Sequence, residues 1–297
     1  MMRVYELSFE QYPIARPLFA AAHFDEACHA AVFLGWNPAR IFVDDPIAPR
    51  AALMARSYEY FLAGDSDTAL TAFIADAPAE VGIFQYLYGF APLTPDWARP
   101  LESLLPLERV GRCNYRWMPG TPIDDWRARL DALNGSGMLP GTAQVVPMDE
   151  TLARRADSDP GMYPVPFVRY FWRDYALYDR YGYGMALLID DAIATTVFAL
   201  CTSPRDAIIS IDTRHEFQRR GLGWITSSAF IEETLRRGLL PVWDCDEFNL
   251  PSFRLADRLG FVQGAPFFEL AMPERAPLPL TTGRWGAVSG GWARVSE

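Results

Sequence analysis

The sequence contains no lysine, so all 27 of its basic residues are arginine. Without that amine the chain can build neither the phosphate loop of nucleotide hydrolases, nor the strand lysine of a kinase, nor a Schiff base. Histidine occurs three times, and the four cysteines, Cys28, Cys113, Cys201 and Cys245, stand far apart. No CxxC pair or zinc-like Cys/His spacing is present, so the cysteines are expected as reduced core residues. His23 and His29 flank Cys28 with Asp25 and Glu26 close by, but no second set of ligands follows, and no metal is expected. No run approaches the roughly 20 apolar residues of a membrane span, and the opening MMRVYELSFEQY has no apolar stretch after a basic start. The expectation is a cytoplasmic protein with no membrane partner. A net charge of -10 and a pI near 4.9 also lack the basic footprint that nucleic acid would need, although a local arginine cluster can still hold one phosphate ligand.

What is present is ample material for packed cores. The chain has 297 residues, 50% of them hydrophobic, enough for one large domain or two ordinary ones. Strand-like runs at Arg40 to Val43 and Ala51 to Leu62, a helix at Asp65 to Ala75 and β-rich sequence at Tyr115 to Met118 indicate an N-terminal α/β domain over residues 1–120. Residues 121–141 open with proline and close on a flexible NGSG, which marks a linker. Residues 142–275 form a second domain. There, GMALLIDDAIATTVFALC reads as a hairpin turning at Asp190 and Asp191, and DAIISIDT as a third strand. WITSSAFIEETLRRG is a helix stopped at Gly238, LLPVWDCD a fourth strand, NLPSFRLADRLGF a helix entered through Pro251 and closed by Gly260, and FFELAM a last strand. Residues 276–297 are a Pro- and Gly-rich tail without periodicity, whose Trp285 and Trp292 are expected to dock on the parent domain or on a second subunit.

Between the strand IISID and the helix after it lies FQRRGLGW, residues 217–224. At a strand-to-helix junction, backbone N–H groups can converge on an anion with the positive end of the helix dipole behind them. Gly221 and Gly223 remove side chains that would block the approach. A plain turn would look the same in isolation. A dinucleotide fold is disfavoured, because Thr226 holds the third glycine position and the preceding strands are antiparallel.

Gln218-Arg219-Arg220-Gly221-Leu222-Gly223 resembles the Gln/Arg-x-x-Gly-x-Gly/Ala signature of the GNAT acetyltransferases, and Asn249 with Leu259, Gly260 and Phe261 resembles their downstream Asn-to-Leu-Gly-Phe pattern. The wording from IDTRHEFQRRGLG to NLPSFRLADRLGF looks most like the zwittermicin A resistance subgroup, and weaker likeness through IFVDD and FLAGD extends into the first half. The resemblance implies an α+β protein: a C-terminal GNAT fold with a mixed, mostly antiparallel, splayed sheet, preceded by an α/β domain that is a degenerate relative of it. It implies acetyl-CoA as co-substrate, with pyrophosphate at residues 218–223 and pantetheine between the strand ending at Asp212 and the strand Pro241 to Asp244. The cofactor-binding set is then Ile211, Asp212, Thr213, Gln218, Arg219, Arg220, Gly221, Leu222, Gly223, Asn249 and Ser252. The implied acceptor is a small-molecule amine, and the chain is expected as a monomer or homodimer.

Acylating an amine requires its neutral form. At neutral pH that costs about 4.6 kcal/mol for a lysine-like amine and about 1.4 kcal/mol for an α-amino group. Many relatives place an acidic tyrosine seven residues after the asparagine, but here that position is Ala256, and Ile208 stands where relatives of the subgroup often carry glutamate. Asp212, Asp244 and Ser252 are the catalytic candidates, with Asp246, Tyr175, Tyr178, Tyr181 and Tyr183 as further proton-carrying groups; His215 reads as a loop residue. The alternative to an enzyme is a catalytically silent acyl-CoA-binding or interaction module.

Overall fold

The structure, a computed structural model, describes residues 3–20, 26–56, 59–66, 69–76, 89–92, 95–162, 167–271, 285–288 and 291–294. They group into two compact units, residues 1–112 with 267–297, and residues 113–266. In the first unit, β1 (Arg3–Glu6), α1 (Arg16–Phe19), α2 (Glu26–Phe33) and β2 (Arg40–Val43) lead to β3 (Ala51–Arg56) and β4 (Glu59–Gly64). The strand-like run at Ala51 to Leu62 therefore holds two strands, paired antiparallel from Ala51–Gly64 to Arg56–Glu59. After α3 (Ala69–Asp76), β5 (Gly89–Pro92) lies parallel to β4 from Glu59–Gly89 to Leu62–Pro92. Then come α4 (Ala98–Leu104) and β6 (Glu108–Arg116). Phe42, Leu53, Tyr60, Leu62, Phe73 and Trp97 form a fully enclosed core, and the Trp97 indole N–H donates to the Gly64 carbonyl at 3.0 Å.

The second unit begins with α5 (Trp126–Gly135), inside the stretch whose composition suggested a linker. Asp125 caps it, accepting from the N–H groups of Arg127 and Ala128, and Leu130 and Leu133 are buried in the unit's core. Next are β7 (Ala143–Pro147), α6 (Glu150–Asp157), α7 (Phe167–Phe171), α8 (Tyr175–Tyr181), β8 (Gly184–Ile189), β9 (Ala192–Thr202) and β10 (Asp206–Thr213). The β8–β9 hairpin turns at Asp190, whose φ of 53° is the left-handed geometry a two-residue hairpin needs. Then follow α9 (Leu222–Arg236), β11 (Leu240–Asp246), α10 (Leu250–Leu259) and β12 (Val262–Gln263). Strands β7 to β10 are antiparallel, whereas β10 and β11 are parallel. Helix α9 packs on the sheet through a core that includes Leu187, Val197, Ile225, Phe230 and Trp243. Ala256 is completely buried in that core.

The chain then returns to the first unit with β13 (Phe267–Ala271), β14 (Trp285–Val288) and β15 (Gly291–Arg294). FFELAM is a strand, as its composition indicates, but β13 pairs with β5 and with residues 108–112 of β6, and β12 closes the second unit by pairing with Tyr115 and Arg116. The tail carries a hairpin that pairs with β1, from Arg3–Ala293 to Tyr5–Gly291. The side chains of Trp285 and Trp292 lie outside the described residues. All four cysteines are buried, and none is joined in a disulfide. Among the described residues no helix is long and apolar enough to cross a membrane.

Each unit thus repeats one succession: three antiparallel strands, a helix, a strand parallel to the third, a helix, and a further strand. In the first unit the step from β4 into the loop before α3 depends on Gly64, with φ of 81° and only 2.0 Å between the position of an added Cβ and the Arg50 carbonyl oxygen. Gly64→Ala is expected to cost about 2–4 kcal/mol, read as a lowered midpoint in urea denaturation; a change well under 1 kcal/mol would show that this turn is not held as described.

Candidate functional site

The second unit opens at the parallel pair. Strands β10 and β11 are in register from Asp206–Leu240 to Ile208–Val242, and their ladder ends there although β10 continues to Thr213 and β11 to Asp246. Beyond Ile208 only the β9 side of β10 remains paired, through Thr213–Thr195. The strands splay apart, and half of the backbone groups of residues 209–213 face the gap.

Side chains alternate across this opening. Ile211 and Thr213 face α9: a Cβ added at Gly223 would lie 3.3 Å from Ile211 Cδ1 and 3.6 Å from Thr213 Oγ1. Asp212 points to the opposite face, as does its neighbour across the ladder, Thr196. Phe198 lies further along that face, against the Tyr178 ring at 6.4 Å. Because Ile208 and Val242 are opposed, alternation puts Asp244 and Asp246 on the same face as Asp212. Trp243 points the other way, and its indole N–H donates to Ser252 Oγ at 2.9 Å.

Asp212 is partly buried. Its Oδ2 is buried without a hydrogen-bond partner, and burial pushes its carboxyl up to about 6, against a smaller opposing pull from the Thr213 backbone N–H. The tyrosines differ. Tyr175 donates to Asp157 Oδ2 at 2.7 Å and is pushed up to about 12 by burial and then by that carboxylate. Tyr178 donates to the Met148 carbonyl and Tyr183 to Thr234 Oγ1, and burial raises both. These three hydroxyls hold helices and strands together. Tyr181 is half-buried, with Arg180 stacked on its ring.

The glycine turn is shaped for an anion. Arg219 and Gly221 have φ of 61° and 81° with Arg220 between them, an alternation that turns successive N–H groups toward one concavity. Gly221 is the N-cap of α9; no side chain caps this helix and its first turn has no acid, so its leading N–H groups are left for a ligand. Leu222 is buried in the core and anchors the helix start. Gln218 donates to the Thr213 carbonyl at 3.0 Å and ties the turn to the end of β10. Arg220 is committed to the Met138 and Glu216 carbonyls at 2.9 and 3.1 Å, so it braces the turn, while Arg219 is exposed. His215 lies in a short 3-10 turn just before. Asn249 caps α10, its Oδ1 accepting from the Ser252 N–H at 3.2 Å.

The sequence reading missed Arg129 of α5, whose guanidinium nitrogens lie 3.7 and 3.8 Å from where a Cβ on Gly221 would stand. Its only local signal is an arginine on a helix in a stretch resembling a linker. The His/Cys segment of the first unit lies partly within the described residues. His29 is buried between the rings of Phe19 and Phe61, and burial, aided by Arg56, pushes it down to about 3. His23 and Asp25 lie outside the described residues. No group of three or more potential metal ligands occurs among the described residues.

Comparison with known proteins follows the same lines. A sequence profile of the GNAT acetyltransferase family matches residues 17–268. The uncharacterized N-acetyltransferase YdfB of Bacillus subtilis (strain 168) is 22% identical over 263 residues, covering 86% of this chain and 94% of the relative. The structure of a GCN5-related N-acetyltransferase-like protein from Streptococcus suis 89/1591 superposes with a TM-score of 0.66 at 20% identity, over 88% of this chain and 98% of that one. A tandem GNAT protein from the clavulanic acid biosynthesis pathway superposes with a TM-score of 0.55 at 14% identity, over 91% and 97% of the two chains. The profile spans the whole of the second unit and residues 17–112 of the first: the chain belongs to the GNAT acetyltransferase family.

Proposed function

We propose that this acetyltransferase takes its acetyl group from acetyl-CoA and transfers it to the amine of a small molecule by direct attack in a ternary complex, all within the second unit. The observation that carries this reading is the coincidence of two features at the end of β10. The ladder to β11 stops at Ile208–Val242, and the uncapped glycine turn of residues 218–223 begins α9 beside it. An extended amide-bearing chain fits the first and a pyrophosphate the second.

When bound, acetyl-CoA supplies an acetyl group activated as a thioester. The backbone of Ile211, Asp212 and Thr213 lines the gap as its strand-like partner, and a main-chain N–H there polarises the carbonyl oxygen. The N–H groups of residues 219–223 receive the pyrophosphate. Gly223 stands so close to Ile211 and Thr213 that a side chain there would fill the approach. Asn249 and Ser252 form the α10 side of the slot. Asp212 accepts the proton from the acceptor amine: its carboxyl titrates near 6, so it is ionised at neutral pH yet basic enough to take a proton. Asp244 and Asp246, on the same face, attract a cationic acceptor. A thiolate whose conjugate acid titrates near about 8.5 is a competent leaving group, which makes the missing hydroxyl at Ala256 tolerable. Ser252 accepts from Trp243 and keeps its own proton to donate. The likeness to zwittermicin A resistance proteins supports a small amine as acceptor.

The first unit has the same element order but not these features. Its β4–β5 ladder runs on to Leu62–Pro92, close to the end of β4, and the segment that follows reads Gly64-Asp65-Ser66-Asp67-Thr68 instead of Arg-Arg-Gly-Leu-Gly. Acidic residues repel a phosphate, so this unit has a supporting role and CoA goes to the second. Ala256 and Ile208 favour the rival reading, a silent acyl-CoA-binding module.

Three outcomes follow. Gly221→Glu is expected to abolish CoA binding in calorimetry with the circular dichroism unchanged, since it puts bulk and negative charge into the turn; unaltered affinity would place the cofactor elsewhere. With acetyl-CoA and a panel of polyamines, aminosugars and amino acids, thiol release is expected for at least one amine, and binding without transfer to any of them would favour the silent module. For Asp212, kcat/KM is expected to fall as pH drops through about 6, apart from any limb set by the amine, and Asp212→Asn to lower it about 10²–10⁴-fold. A carboxyl whose folded pKa is raised stabilises the fold below its unfolded pKa and loses that contribution as pH rises through the folded one. Asp212→Asn should therefore melt higher than wild type at pH 8 but not at pH 4. A variant with normal activity, or one destabilised equally at both pH values, would remove Asp212 from catalysis.

A further inference from the structure

Arginine is concentrated where electrostatics least favours it. The start of α9 is the positive end of a 15-residue helix, and its first turn contains no acid to offset the dipole. Yet Arg129 reaches Gly221, and its guanidinium carbon lies 5.2 Å from the ring centre of Trp224 in the same first turn. Arg258, from the last turn of α10, lies 5.3 Å from the same ring. Trp224 itself is only 5% exposed, and its indole N–H has no acceptor. Neither Arg129 nor Arg258 makes an ion pair with a carboxylate among the described residues, although both are exposed and acids are more numerous than arginines in this chain.

Arg129 does not reach this position by chance placement of a long side chain. Helix α5 is pinned to α9 by Glu232, which accepts from the Trp126 indole at 2.9 Å and from both terminal nitrogens of Arg127 at 2.8 Å. That two-pronged pair fixes the helix two residues before Arg129, and the Arg129 and Arg258 guanidiniums both lie within cation–π reach of the Trp224 ring. A guanidinium carries in-plane N–H donors suited to binding a phosphate bidentately.

We propose that Arg129 and Arg258, held on Trp224, bind the phosphomonoester on the ribose 3′ position of CoA and make the enzyme select CoA over its 3′-hydroxyl counterpart, dephospho-CoA. The inference rests on the CoA reading of the glycine turn. CoA carries two separate anions: a pyrophosphate diester, which the backbone N–H groups of the turn suit, and a monoester with about 1.5 to 2 negative charges at neutral pH. Backbone N–H groups and half a unit of helix charge do not neutralise both. Arg220 is occupied with two carbonyls. Arg129 and Arg258 supply the missing charge from two helices outside the turn motif.

The test is calorimetric titration of wild type, Arg129→Ala, Arg258→Ala and the double variant with CoA and with dephospho-CoA. Arg236→Ala, at the far end of α9 and paired with Glu233, is the control. Wild type and control are expected to bind CoA about ten- to a hundred-fold more tightly than dephospho-CoA. The double variant should bind the two ligands alike, at an affinity for dephospho-CoA unchanged from wild type, and each single variant should fall between. Retained discrimination in the double variant would overturn the proposal. So would an equal loss for both ligands, which would mean that the arginines only support the turn. If wild type binds neither ligand, the CoA reading itself fails and this inference with it; if wild type binds both equally, the CoA reading stands and only the phosphate clamp is lost.

Discussion

Two parallel strands that stop pairing part-way along their length leave backbone N–H and C=O groups facing a gap, and each such group needs a partner in the folded state. In the second unit this happens after Ile208–Val242, where β10 runs on through Ile209 to Thr213 with only β9 beside it. The glycine turn starts directly from the open end of β10 and is tied to it by Gln218 and the Thr213 carbonyl. Asp212 sits on the open stretch with a buried, unpartnered oxygen. Closing the gap by continued pairing would remove the slot, bury the turn's approach and crowd the carboxylate together.

The first unit shows what the same order of elements becomes without that parting. Its β4–β5 ladder continues to Leu62–Pro92, and the peptide after β4 turns on Gly64 against the Arg50 carbonyl rather than opening toward a ligand. The segment after β4 carries Asp65 and Asp67 where the second unit has arginines and glycines.

The legible parts of the sequence were those set by local chemistry. Gly238 and Gly260 marked where α9 and α10 end because both take positive φ, and Asp190 marked the β8–β9 hairpin for the same reason. The glycine turn was legible as a strand-to-helix junction, because Gly221 takes the positive φ from which α9 starts. Pairing partners were not readable. FFELAM announces a strand, but nothing in it says that β13 joins β5 and β6, leaving Val262 and Gln263 to close the second unit. Residues 121–141 have the composition of a linker, yet hold α5, because Trp126 and Arg127 find Glu232 more than a hundred residues away. Arg129 was invisible for the same reason: its place beside Gly221 is a tertiary fact. Ala256 and Asn249 fall in between: matched to motif positions in the sequence, they show, one by burial and the other by capping α10, structural tasks that a motif does not record.

The central claim is that the open stretch of β10 and the facing part of β11 receive CoA. Amide hydrogen exchange with and without CoA measures this directly. Residues 209–213 and 243–246 are expected to exchange more slowly when CoA is bound, together with the first turn of α9, while β3 and β4 keep their rates. Unchanged exchange in residues 209–213 with protection elsewhere, above all in the first unit, would contradict the account.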